Sequence, residues 1–101
     1  IKDTDYKAPA LATIAEAQVT AGDISGAKAT LTQAQVAVDT IKDADHKAQT
    51  LVTIAQTQAM MGDVKGAKAT AEGIKPLEVR VSAYAAIIKE TAKRSKTVKR
   101  P

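Results

Sequence analysis

The chain has no cysteine, no tryptophan and no phenylalanine, and its only aromatic residues are Tyr6 and Tyr84. The absence of cysteine excludes disulfide staples, thiolate nucleophiles and zinc sites built on thiolates. The scarcity of aromatics excludes a core built on large flat side chains, and with it the stacking platforms on which single-stranded nucleic acid binders rely. No uninterrupted apolar run reaches the roughly 20 residues that a membrane-spanning helix needs. What remains is apolar content of an unusual kind. Of 101 residues 45% are hydrophobic, with alanine the commonest and Ile, Val and Leu between. Alanine has the highest helix propensity of any residue. It buries little area, at about 25 cal/mol per Å² of apolar surface. Many close helix contacts must therefore replace a few bulky ones.

The sequence repeats. Residues 1–30 return at 41–70 with 18 of 30 positions identical, among them Ile1-Lys2-Asp3, Gly22-Asp23 and Gly26-Ala27-Lys28-Ala29-Thr30. The pattern restarts at an offset of 33, where Ile74-Lys75 matches Ile41-Lys42, Tyr84 matches Leu51, Ile87 matches Ile54 and Ala92 matches Ala59. A period of about 20–50 residues signals stacked supersecondary units. The units read as 1–40, 41–73 and a half unit 74–94, forming one domain over 1–94 with a basic, frayed tail at 95–101. Because Ile1 is in register with a later unit boundary, the chain reads as a piece of a longer array.

Helical periodicity places Leu11, Ile14, Ala15 and Gln18 on one face of a first helix, and Leu51, Ile54, Ala55 and Gln58 on its repeat. Asp5 and Asp45 are expected as N-caps, which puts Pro9 within the first turn, where amides have no intrahelical partner. Gly22 and Gly62 end these helices in the left-handed conformation, and Asp23 and Asp63 cap the next. Gly26 and Ala27 are expected where the two antiparallel helices cross. Gly73 and Pro76 cut the fourth helix short, with Pro76 in the first turn of the fifth. That last helix carries Val79, Val81, Tyr84, Ile87 and Ile88. The expectation is an all-α array of αα-hairpins, about two and a half units and five helices.

The twelve-residue spacing of Ala15 to Ala27 and of Ala55 to Ala67 belongs to this pattern. So do Leu11 and Leu51, Leu31 and Ala34, and the Gly-Asp turn. Together these resemble the tetratricopeptide repeat family, over nearly the whole chain to about residue 94. The departures are a first unit of 40 residues where that family has about 34, Gln18, Gln58 and Leu31 at the family's aromatic positions, and no closing Pro after the first unit. The resemblance implies a right-handed superhelical array whose first helices line a groove that binds a protein partner's peptide or helix. Carried over residue by residue, the groove would present Pro9, Ala12, Glu16, Val19 and Thr20, then Gln49, Val52, Gln56, Ala59 and Met60, then Ser82, Ala85, Lys89, Ala92 and Lys93. The candidate partner-binding residues are Glu16, Thr20, Gln49, Val52, Gln56, Met60, Lys89 and Lys93. The groove positions differ between units where the scaffold positions recur.

Chemistry-bearing residues read as structural. His46 is the only histidine and aligns with Tyr6 and Val79, which suits packing at a helix start more than metal ligation. The paired aspartates Asp3/Asp5 and Asp43/Asp45 lack the rest of a calcium loop and suit helix N-termini. Gly22-Asp23-x-x-Gly26 lacks the Gly-Lys-Ser/Thr of a phosphate loop. Ser25, Ser82 and Ser95 have no base within sequence reach. The expectation is a non-enzymatic module without cofactor or metal. Two alternatives remain. One is self-assembly through unsealed repeat ends, including an apolar end at Ile1. The other is a helical-repeat nucleic acid binder. Net charge is −1 over residues 1–88 and +5 over 89–101, where Lys89, Lys93, Arg94, Lys96, Lys99 and Arg100 face only Glu90. Those cations could neutralise phosphates, or simply complement a helix C-terminus.

Overall fold

The computed structural model describes residues 3–97, with side chains described for 6–93. Its five helices are α1 (Asp3–Thr20), α2 (Ile24–Val38), α3 (Ala44–Met60), α4 (Val64–Glu72) and α5 (Leu77–Thr97), and no strand occurs among the described residues. Helices α1, α3 and α5 lie side by side, α1 against α3 and α3 against α5. Helices α2 and α4 form a second layer, each packed on the helix before it and less extensively on the helix after it. The result is a flat slab of 53 × 29 × 17 Å. The fold is all-α, and this packing is consistent with a helical-repeat arrangement.

The two Gly-Asp turns explain why α1 folds back into α2 and α3 into α4. Gly22 has φ 90° and Gly62 has φ 88°, a region closed to most side chains. Asp23 N–H donates to Gln18 C=O at 2.8 Å and Gly22 N–H to Val19 C=O at 3.0 Å, and the same pair of bonds recurs at Asp63 and Gly62. This is the Schellman arrangement, which satisfies the carbonyls that a helix end leaves open. The Asp23 and Asp63 carboxylates then accept the Gly26 and Gly66 amides at 3.0 and 2.9 Å.

Four local expectations shift. The cap of α3 is Asp43, not Asp45. Its carboxylate accepts both the Asp45 and the His46 amides, at 2.9 and 3.1 Å. Asp5 likewise sits inside α1, which already runs from Asp3. Pro9 is therefore inside the helix, beyond its first turn, and α1 lacks the bond an ordinary residue would give to the Asp5 carbonyl. Pro76 stands just before α5, where its carbonyl accepts the Arg80 amide at 2.9 Å. Gly26 and Gly66 are small chiefly because of the caps. A Cβ on Gly26 would collide with the Asp23 carboxylate and lie 2.8 Å from Gln18 Nε2, while a Cβ on Gly66 would collide with Asp63. Ala15, Ala27, Ala55 and Ala67, the alanines expected at the crossings, are all fully buried, and Ala55 and Ala67 share one core cluster.

Alanine dominates the core, as composition requires, and the core divides in two. One cluster joins α1 and α2 through Ala8, Ala12, Ala15, Leu31, Ala34 and Val38. The other joins α3, α4 and α5 through Ala55, Ala59, Ala67, Ala71, Ile74 and Ala83. Ile54 of α3 belongs to the first cluster, so the first half of the slab is closed by a side chain from the next unit. Leu51 touches both clusters. Helix α5 runs to Thr97, and 98–101 of the expected tail lie outside the described residues, as do Ile1 and Lys2 at the expected open end.

Candidate functional site

Because α1 and α3 run side by side, the repeat brings equivalent residues of two units to one place. Tyr6 and His46 are equivalent at the 40-residue offset, as are Pro9 and Gln49, and Thr13 and Thr53. These six, with Thr50, line a trough of about 290 Å³ between the helices. Three of its seven lining residues are threonines. The Thr50 hydroxyl donates to the His46 carbonyl at 2.9 Å, and that of Thr53 to the Gln49 carbonyl at 3.4 Å. Those two hydroxyls donate within their own helix, so Thr50 and Thr53 contribute mainly methyl surface. The imidazole of His46, the amide of Gln49 and the phenol of Tyr6 supply hydrogen-bonding groups. A cleft that is apolar with a few polar groups is the general form of a binding site.

Of the eight candidate residues, only Gln49 lines this trough. Glu16 is half-buried on α1, and Thr20 is exposed, with its hydroxyl donating to the Glu16 carbonyl at 3.1 Å. Val52 packs partly against the second core cluster. Met60 is half-buried at the end of α3, and Lys89 is exposed on α5. Gln56 and Lys93 converge on Glu90. The Gln56 amide donates to Glu90 Oε2 at 3.1 Å, and Lys93 Nζ lies 3.8 Å from the same oxygen. Glu90 is buried, and its bond from Gln56 ties α3 to α5 across the slab, while Lys93 pairs with it from within α5. Buried carboxylates persist where such partners exist.

Sequence reasoning missed Tyr6, Thr13, His46, Thr50, Thr53 and Glu90. The signal for four of them was present. Tyr6 with His46 and Thr13 with Thr53 are register equivalents, and parallel neighbours of one repeat bring such pairs together. Thr13 and Thr53 were hidden because identity across units reads as a scaffold requirement. Among the described residues no group of three His, Asp or Glu side chains gathers closely enough to hold a metal ion. No helix among them is long and apolar enough to cross a membrane.

Set against models of known protein families, against curated proteins and against solved structures, the chain matches none.

Proposed function

We propose that this chain is a non-catalytic interaction module, an αα-repeat array of right-handed superhelical sense that binds an extended peptide segment of a protein partner along its α1/α3/α5 layer. The observation that carries this reading is the trough between α1 and α3, where Tyr6, Pro9, His46 and Gln49 surround threonine methyls. An extended segment suits it better than a helix. The trough is formed by only two adjacent helices, and its polar groups, the register pair Tyr6 and His46 with Gln49 one turn on, are spaced along them. Glu16 and Lys89 lie further along the same layer and would read flanking charges.

The test is selection from a display library of linear peptides, followed by titration of the selected peptides by fluorescence anisotropy. A Gln49→Ala/Thr53→Arg double variant should weaken their binding by about tenfold or more, which corresponds to about 1.4 kcal/mol. Thr20→Ala should leave it unchanged. Failure to select any peptide, or equal binding by the double variant, would remove the trough as the site.

A further inference from the structure

We propose that the exposed face of α5, with its groove against α4, is a docking surface for the α1/α2 end of a second copy of this chain. The repeat itself shows that this face lacks the cover that its equivalent on α3 has. At the 33-residue offset, Val81, Ile88 and Ala92 of α5 correspond to Ala48, Ala55 and Ala59 of α3. Those three alanines are buried, Ala55 completely, in the core where α4 covers α3. On α5 the corresponding side chains are open, with Val81 58% and Ile88 68% exposed. Ile88 and Ala92 join Val64, Tyr84 and Ile87 in a groove of about 640 Å³ between α4 and α5. An end repeat that met only water would carry a polar outer face.

The other end of the slab lacks cover in a matching way. Ile54 is fully buried by the unit before it, whereas its counterpart Ile14 is 50% exposed. Ala10, Ile14 and Ala17 of α1, with Ala21 in the turn just after it, form an exposed row at 4-3-4 spacing. Val81, Ala85, Ile88 and Ala92 form an exposed row at the same spacing on α5. Their sizes are complementary: small, large, small, small against large, small, large, small. Such rows interdigitate as ridges into grooves.

Charge selects the pairing. Residues 1–40 hold three basic and five acidic residues, while 74–101 hold eight basic and two acidic. By sequence charge, two α5-bearing ends, each net basic, would repel each other. A basic α5 end and an acidic α1/α2 end attract. The contact is therefore heterologous, head to tail.

Sedimentation velocity from micromolar to millimolar concentration tests this. The weight-average mass should rise from 10.5 kDa to at least twice that. Ile14→Asp and Ile88→Asp, both at exposed sites, should each stay monomeric with an unchanged helical circular dichroism spectrum. Mixing the two variants should restore association, as a dimer that grows no further, because one intact face of each kind remains. A wild-type chain that stays monomeric throughout would overturn the proposal. So would an Ile14→Asp variant that still dimerises, since that is the mark of an α5-to-α5 contact. Peptide binding in the trough is unaffected by either result.

Discussion

The α1/α2 hairpin and the α3/α4 hairpin share most of their sequence yet live in different surroundings. Both turn on a left-handed glycine, both cap the second helix with aspartate, and both bury a pair of alanines completely. They part where one has a neighbour on each side and the other on one side only. Ile54 is sealed in the core between units, whereas the identical Ile14 is half open to water. Gln58 Oε1 accepts the Thr70 hydroxyl at 2.6 Å, whereas Gln18 Oε1 is buried without a hydrogen-bond partner. Local sequence sets the hairpin, and stacking sets what each residue of it contributes. That is the behaviour of a one-dimensional array, in which stability is a sum of unit and interface terms.

The sharpest way to break this comparison is one substitution made twice. Ile54→Ala deletes the side chain that locks the second unit onto the first and leaves a cavity at a fully buried site. It should cost about 2–5 kcal/mol. Against the roughly 5–15 kcal/mol typical of a domain, that is a large fraction. Ile14→Ala, the same change at the equivalent position, should cost within about 1 kcal/mol, because half of that side chain is already in water. Urea melts of the two variants give both numbers. Equal losses would mean that the units do not depend on one another as described.

That pair also marks the limit of what the sequence could disclose. The turns were legible because glycine and aspartate chemistry is local: a left-handed φ and a carboxylate facing free amides involve only a few neighbouring residues. The fully buried alanines Ala15, Ala27, Ala55 and Ala67 were legible because the family resemblance puts small residues at a twelve-residue spacing. Cap placement at α3 was off by two residues, because Asp43 and Asp45 are equally good acceptors and only the actual start of the helix chooses between them. The open state of Ile14 was invisible, since its neighbours are those of Ile54. The site was the least legible part. Gln49 was found by its register, but the trough depends on α1 and α3 meeting, and Glu90 gains its role from Gln56, 34 residues away.

A smaller effect sharpens the comparison through hydrogen bonds. Thr70→Val keeps the shape of the side chain and removes the donor to Gln58 Oε1. That oxygen is then left like its counterpart Gln18 Oε1, at a cost of about 1–3 kcal/mol. Thr30→Val, at the equivalent position of the first unit, removes no such bond and should stay within about 0.5 kcal/mol. The difference in urea midpoint between the two valine variants reads the worth of one inter-helix bond. If both variants lose the same amount, the Gln58–Thr70 bond contributes nothing net.

The smallest expected effect concerns the start of α3 and appears only in acid. Asp43 accepts two amides where Asp23 and Asp63 each accept one. The amide of His46 above all, with smaller help from the amide of Asp45 and the nearby His46 side chain, holds its carboxyl below the ordinary aspartate value against the opposing effect of burial. A carboxyl lowered by folding adds stability that is fully present above the unfolded aspartate value of about 3.9. That stability drains away as pH falls from there through the folded value. Asparagine caps helices as well as aspartate does but does not titrate. Asp43→Asn should therefore melt slightly below the wild type at neutral pH, and the gap should close as the pH drops below about 4. Every other carboxylate titrates alike in both proteins and cancels from the difference. A gap that stays constant from neutral pH down to strong acid would mean that the Asp43 charge adds nothing to the cap, and that a neutral acceptor would serve at Asp43 equally well.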